Sequence, residues 1–230
     1  MAFVLIRNLK TGGTTICDEL VKQGAWWVPA AEHCRIGQFQ EGLLNHRVVI
    51  CEPEAGRRLW QGLGYDQRIN HTCISMMRNP YSRFISGWRY MVEQGIMPEQ
   101  EPVSLLQDAT RTPWLANLHI HRQQIRSLYG DNDWLMPAMV LRTEHLQEDF
   151  DQFCELADLK KVTLPQSNAT KHKPWRDYYE EYPRLRAQVE KTMCWDVTTL
   201  PYVFDRDEPV GSLPNQLEIT ADVEGNPSDR

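Results

Sequence analysis

Six consecutive residues, Lys10-Thr11-Gly12-Gly13-Thr14-Thr15, bring together a cation, three hydroxyls and two glycines. That set suits an anion of phosphate type. Glycine lets the backbone approach a ligand closely, hydroxyls donate hydrogen bonds, and lysine supplies a point charge. A second set follows the apolar run ending at Met77 and reads Arg78-Asn79-Pro80-Tyr81-Ser82-Arg83-Phe84-Ile85-Ser86. A guanidinium can grip a phosphate through two parallel bonds. Ser86, about two helical turns further on, adds a hydroxyl on a similar face.

These residues need elements to hold them. Phe3–Ile6 is a short apolar run of strand type, and Cys17, Leu20 and Val21 repeat at helical spacing behind the glycines, with Gly24 as the stop. A strand that turns through glycine into a helix offers an anion the unpaired N–H groups and positive dipole end of that helix. A second strand spans Arg47–Cys51 and closes at Glu52-Pro53. A third spans Thr72–Met77, after which Pro80 fits the first position of a helix. That helix presents Tyr81, Phe84, Ile85, Trp88 and Val92 on one face. Residues 25–46 and 96–113 read as irregular, and 114–129 as helical. Ala138–Arg142 reads as a fourth strand, followed by a helix whose face is Leu146, Phe150, Phe153, Cys154 and Ala157. A polar loop over 166–173 leads to a last helix near 176–192. Alternating strands and helices predict an α/β fold, a P-loop-like three-layer sandwich with a mainly parallel central sheet. In such sheets ligands sit at the carboxyl ends of the strands, where Lys10–Thr15, Glu52–Glu54 and Arg78–Ser86 all fall.

The first motif resembles the 5′-phosphosulfate-binding loop of carbohydrate sulfotransferases, and most closely that of the heparan sulfate 6-O-sulfotransferases, which also reads lysine, threonine, two glycines and two threonines. The second resembles the 3′-phosphate site of the same family, whose pattern is Arg-Asp-Pro, then Arg, an aromatic or Leu, and Ser. Asn79 stands where the family pattern has aspartate. Weaker similarities lie at Leu115-Ala116-Asn117 with Arg122-Gln123-Gln124, at Leu141–Leu146, and at Asn168–Lys171, so the resemblance extends over about residues 3–200.

The resemblance implies a sulfotransferase whose donor is PAPS (3′-phosphoadenosine 5′-phosphosulfate) and whose product is PAP. Lys10 would stabilise the leaving phosphate oxygen, Thr11, Gly12, Gly13, Thr14 and Thr15 would hold the 5′-phosphate, and Arg78 and Ser86 the 3′-phosphate. An acceptor hydroxyl needs a general base. Glu52 is the first candidate because it follows the second strand, where the 6-O enzymes carry a catalytic histidine. His71 and Glu54 are the reserves. Lys171 and Trp175, in the loop Asn168–Trp175, are candidates to cover the donor, with Trp175 stacking on base or sugar. His33, His46, His119, His121, His145 and His172 are read as surface or structural.

Composition narrows the partners. The chain has 230 residues and a net charge of −6. From Asp207 to Arg230 there are six acids, one base and three prolines, which predicts a catalytic domain over 1–206 and an acidic, disordered tail over 207–230. The remaining body is close to neutral, so no global basic field draws nucleic acid or a heparan-like polyanion. The acceptor expected is therefore a carbohydrate or small molecule bearing a hydroxyl. Six cysteines lie far apart with no CxxC pair, which predicts buried free thiols and no metal site. No signal peptide or run of about 20 apolar residues is present, so a cytoplasmic protein without a membrane span is expected. Two other readings share this pattern. A P-loop-like nucleotide kinase would carry lysine after the glycines and a strand-end aspartate for Mg²⁺. A non-catalytic module would bind PAP or a glycan without turnover.

Overall fold

The computed structural model describes residues 2–8, 10–28, 35–63, 70–99, 101–109, 124–127, 137–165, 172–207 and 209–210. Its centre is a five-stranded parallel sheet of order β2-β3-β1-β4-β5. The strands are β1 (Ala2–Ile6), β2 (Trp26–Trp27), β3 (Val48–Cys51), β4 (His71–Met77) and β5 (Met139–Arg142). β1 is central and every residue in it is buried, as expected of an unbroken apolar run in a parallel sheet covered on both faces.

Side chains alternate across the sheet with period two, and the packing shows where each set goes. Ala2, Val4, Ile6, Val49 and Cys51 meet Phe39, Leu43, Ala55, Leu59 and Trp60 from helices α2 (Ile36–Asn45) and α3 (Pro53–Gly62). Phe3, Leu5, Val48, Ile50, Ile74 and Met76 meet Ile16, Leu20, Phe150 and Phe153 from α1 (Gly13–Lys22) and α6 (Leu146–Ala157). This is the three-layer α/β sandwich expected. A separate helical cluster joins α4 (Pro80–Glu93), α5 (Pro102–Ala109), α7 (Trp175–Glu181) and α8 (Leu185–Thr192) around Phe84, Trp88, Leu105, Tyr178 and Leu185. A short α9 (Cys194–Thr199) follows.

Several sequence expectations need correction. β2 and α2 lie within the stretch read as irregular, and α5 lies within 96–113. α3 starts where a turn was expected: Glu52 is its N-cap and Pro53 its first residue. Two glycines and a proline hide the helical signal of α3. Gly56 is there because the helix presses on the sheet: a Cβ at that position would lie 2.9 Å from Cys51 Sγ. The single helix expected over 176–192 is two, α7 and α8, parted at Pro183, which lacks the N–H a continuous helix would need. Within 114–129 only Gln124–Ser127 is described, as a 3₁₀ turn.

Cys17, Cys51, Cys73 and Cys154 are buried free thiols, and Cys194 is exposed. Burial pushes Cys17 up to about 12 and Cys154 to about 11, which keeps both protonated and unreactive at neutral pH. The body does not stop at residue 206. Asp207 accepts hydrogen bonds from Trp175 Nε1 and Arg176, and the Val210 amide donates to the Pro201 carbonyl. Residues 211–230, most of the expected tail, lie outside the described residues. No described helix is long and apolar enough to cross a membrane.

Candidate active site

All five strands run the same way, so every strand end collects at one edge of the sheet. β1 delivers Arg7, Asn8 and Lys10 there, β3 delivers Glu52, and β4 delivers Arg78. The first loop is tight. Lys10 and Gly12 both have left-handed backbones, with φ of 65° and 76°. Gly12 is the N-cap of α1 and has no side chain to cap the first turn. It packs so closely on α6 that a Cβ would meet Leu146 Cδ2 at 2.9 Å. No side chain caps the first turn of α1, and a helix start of this kind suits an anion.

The hydroxyls divide their work. Thr11 is fully buried and donates to the Asn8 carbonyl at 2.8 Å, while Asn8 Nδ2 donates to the Met76 carbonyl at 2.6 Å. Thr11, a sequence candidate for the phosphate, therefore uses its hydroxyl to brace the loop against β4. Thr15 is also buried. Thr14 is exposed, and its Oγ1 accepts a bond from Arg7 Nη2 at 3.0 Å.

Arg7 was not among the residues picked from the sequence. Its Nη1 donates to Glu52 Oε1 at 3.0 Å, and its guanidinium lies 5.1 Å from the centre of the Trp27 ring. One side chain thereby joins the first loop to the carboxylate after β3. Glu52, although the N-cap of α3, makes no side-chain cap bond and turns to Arg7 instead. The signal available in the sequence was a charged residue directly after a buried strand.

Arg78 is held from several sides. Its backbone N–H donates to Gln124 Oε1, and its carbonyl accepts from Gln124 Nε2, each at 2.8 Å. Its Nε donates to Ser82 Oγ at 2.9 Å and its Nη1 to the Lys10 carbonyl at 3.4 Å. Gln124 is anchored in turn, because the Asp196 carboxylate accepts the Gln124 and Ile125 amides at 2.9 Å each. Asp196 lies 3.9 Å from the guanidinium of Arg83, whose side chain is only 2% exposed. Asn79 caps α4 through Tyr81 N and also donates to the Arg206 carbonyl, a bond an aspartate could not make. Glu144 accepts the Asn79 amide and the Tyr202 hydroxyl, both at 2.8 Å. Ser86 is buried on α4, four residues from Ser82 and four from Tyr90.

The electrostatics favour an anionic guest. Burial, and then the nearby Arg78, lower Lys10 to about 8, with Glu93 opposing and Arg7 adding to the fall. Burial also lowers Arg78, against the pull of Glu144 and Tyr202. Three cationic side chains from two strand ends thus converge, with Glu52, Glu93 and Glu144 beside them. Among the described residues no group of His, Cys, Asp and Glu is placed to hold a metal ion.

Other candidates fall elsewhere. His71 opens β4 and pairs in register with Ala2, so it sits at the amino edge of the sheet, opposite Lys10 and Arg78. It lines a groove there with Ala2, Leu43, His46 and Leu63, away from the convergent cations. The reserve base His71 is therefore removed by strand direction alone. The Trp175 ring packs against Tyr81, Tyr179 and Phe204, with Arg176 4.2 Å from its centre, which gives it a packing role. Lys171 and the loop before it lie outside the described residues, as does the Glu54 side chain.

A family model described as Sulfotransferase family matches residues 57–205, well over half of the chain. Arg78 and Ser86 fall inside that span, whereas Lys10–Thr15 and Glu52 precede it. The crystal structure of a sulfotransferase from Alicyclobacillus acidocaldarius is similar, with 14% identity and a TM-score of 0.48 over 85% of this chain and 96% of that one. The mouse sulfotransferase SULT7A1 complexed with PAP is similar too, with 14% identity and a TM-score of 0.41 over 84% of this chain and 66% of that one. No curated protein matches the chain.

Proposed function

Because the chain belongs to the sulfotransferase family, we propose that it moves the sulfuryl group of PAPS to an acceptor hydroxyl by in-line transfer and releases PAP. The observation that carries the reading is the meeting of Lys10, Arg7 and Arg78 at the start of α1, with Glu52 one strand away. The bond between sulfur and the bridging phosphate oxygen breaks as a bond from sulfur to the acceptor oxygen forms. Negative charge grows on the leaving oxygen, where the Lys10 ammonium stabilises it. Glu52 takes the acceptor proton. The amides of α1 and the Thr14 hydroxyl hold the 5′-phosphate. Arg78, braced by Gln124 and Ser82, holds the 3′-phosphate together with Ser86, which separates PAPS from donors lacking that group.

Arg7 ties the two halves of this reaction together. It fixes the Glu52 carboxylate on one side and the Thr14 hydroxyl on the other, so base and donor loop keep a set distance. The resemblance of Lys10–Thr15 to the heparan sulfate 6-O enzymes supports the donor assignment. For the acceptor, the near-neutral body favours a neutral carbohydrate or small molecule over a polyanion.

Calorimetric titration of PAP, with ADP as the control nucleotide, tests the reading. Tight PAP binding, weak ADP binding and a loss of about 1.5 kcal/mol or more in Arg78→Ala, more than tenfold in Kd, are expected. A protein that does not bind PAP is not a PAPS sulfotransferase. Binding with no transfer to any hydroxyl acceptor would instead mark a PAP-binding module.

A further inference from the structure

Lys10 reaches across to helix α4. Its Nζ lies 3.6 Å from the centre of the Tyr90 ring, in contact with the ring face, where the quadrupole attracts a cation. Tyr90 is half-buried and packs against the helical cluster, so its ring has limited freedom. It is placed with purpose relative to the rest of the site. Ser82, Ser86 and Tyr90 follow one another at intervals of four, which sets them along one stripe of α4. At one end of the stripe Ser82 holds Arg78 Nε, and at the other Tyr90 holds Lys10 Nζ.

The charges around Lys10 explain why it needs such a partner. Arg78 at the end of β4 and Arg7 at the end of β1 repel it, and Glu93 on α4 attracts it. Burial is the largest influence and, with the two arginines, disfavours the charged form against Glu93. No ion pair to Lys10 appears among the described residues. A ring face offers attraction without a carboxylate, and a carboxylate here would repel an incoming phosphate.

We propose that Tyr90 is a positioning residue of the sulfuryl-transfer site, its ring face holding the Lys10 ammonium charged and aimed along the stripe that carries Ser86 and leads to Arg78. This rests on the role given to Lys10 above. The ring face is what matters, so phenylalanine serves in its place and an aliphatic side chain does not. Without the ring, burial and the two arginines act against Glu93 alone, and Lys10 gives up its proton at a lower pH.

Two measurements on the full chain test this. The first is the pH dependence of kcat and of KM for PAPS in wild type, Tyr90→Phe, Tyr90→Leu and Tyr90→Met. The second is an NMR titration of the Lys10 side chain in lysine-labelled protein, assigned with Lys10→Arg. Wild type and Tyr90→Phe are expected to share one basic limb and one Lys10 titration. In Tyr90→Leu and Tyr90→Met both should move acidward by about half a pH unit, and kcat should fall while PAP affinity stays within about twofold. Lys10 titrating alike in all four proteins, or Tyr90→Phe shifting as far as Tyr90→Leu, overturns the proposal. Should either aliphatic variant fail to fold, the other carries the comparison. The functional reading fails separately: wild type that neither binds PAP nor transfers sulfate sinks it, yet an acidward Lys10 titration in Tyr90→Leu would still establish the Lys10–Tyr90 coupling.

Discussion

In the proposed reaction, single side chains act through charge held where water would otherwise weaken it. Lys10 is the clearest case. In the proposed transfer it acts as an ammonium, and burial beside Arg78 lowers it to about 8. The active fraction therefore declines as pH rises through about 8, well below the range in which an ordinary lysine loses its proton. A kcat/KM profile for PAPS should show that basic limb, and a rate unchanged to pH 10 would remove Lys10 from the mechanism. Lys10→Met should lower kcat by about 10²- to 10³-fold, the usual effect of deleting a donor to a developing oxyanion. Glu52→Gln isolates the base, because an amide oxygen can still accept the bond from Arg7. Its kcat should fall by about 10²- to 10⁴-fold with PAP affinity unchanged. Near-wild-type turnover in Glu52→Gln would show that the acceptor proton leaves by another route.

Elements decide whether those side chains point the right way. The start of α1 depends on Gly12, whose left-handed backbone disfavours a side chain and whose Cβ would press on Leu146. Gly12→Ala should destabilise the fold by about 1–2 kcal/mol from the backbone conformation alone, and displacement of Leu146 adds to that. Thermal unfolding should fall accordingly, and PAP should bind at least several-fold more weakly because the amides of the first turn move. Unaltered PAP affinity in a folded Gly12→Ala protein would mean that the turn does not hold the 5′-phosphate. At α4, capping and function are joined. Asn79 fixes the helix start while Arg78, one residue earlier, is clamped front and back by Gln124.

Across the whole molecule, the site is stabilised by a buried polar network that joins the sheet to the C-terminal helices. Arg83 on α4 and Asp196 on α9 are both almost fully buried, and Asp196 also takes the amides of the 3₁₀ turn bearing Gln124. Removing one partner of a buried ion pair typically costs about 3–5 kcal/mol. Asp196→Ala should therefore show a large loss in urea unfolding. It should also weaken PAP binding, since Gln124 loses its anchor and Arg78 its clamp. A stable Asp196→Ala protein with full PAP affinity would show that the network and the phosphate site are independent.

How much of this was legible in the chain depends on range. The strands, the glycine turn and the helix after Pro80 were readable because their signals are local: apolar runs, glycine where the backbone must turn left-handed, proline at a helix start. Lys10–Thr15 and Arg78–Ser86 were readable as strand-to-helix corners for the same reason. α3 was not, since its glycines and proline look like a turn until Gly56 is seen against Cys51. Glu52 was preferred to His71 because it follows a strand, and the parallel strand direction sends one to the carboxyl edge and the other to the amino edge. Arg7, Gln124, Asp196 and Tyr90 meet partners 45, 46, 72 and 80 residues away. Residue type and spacing along the chain thus determined the class of fold and, through the family resemblance, the donor we propose. Which carboxylate meets which cation, and which ring meets Lys10, was decided by tertiary structure, because Coulomb attraction and ring contacts act through space between groups the chain sets far apart.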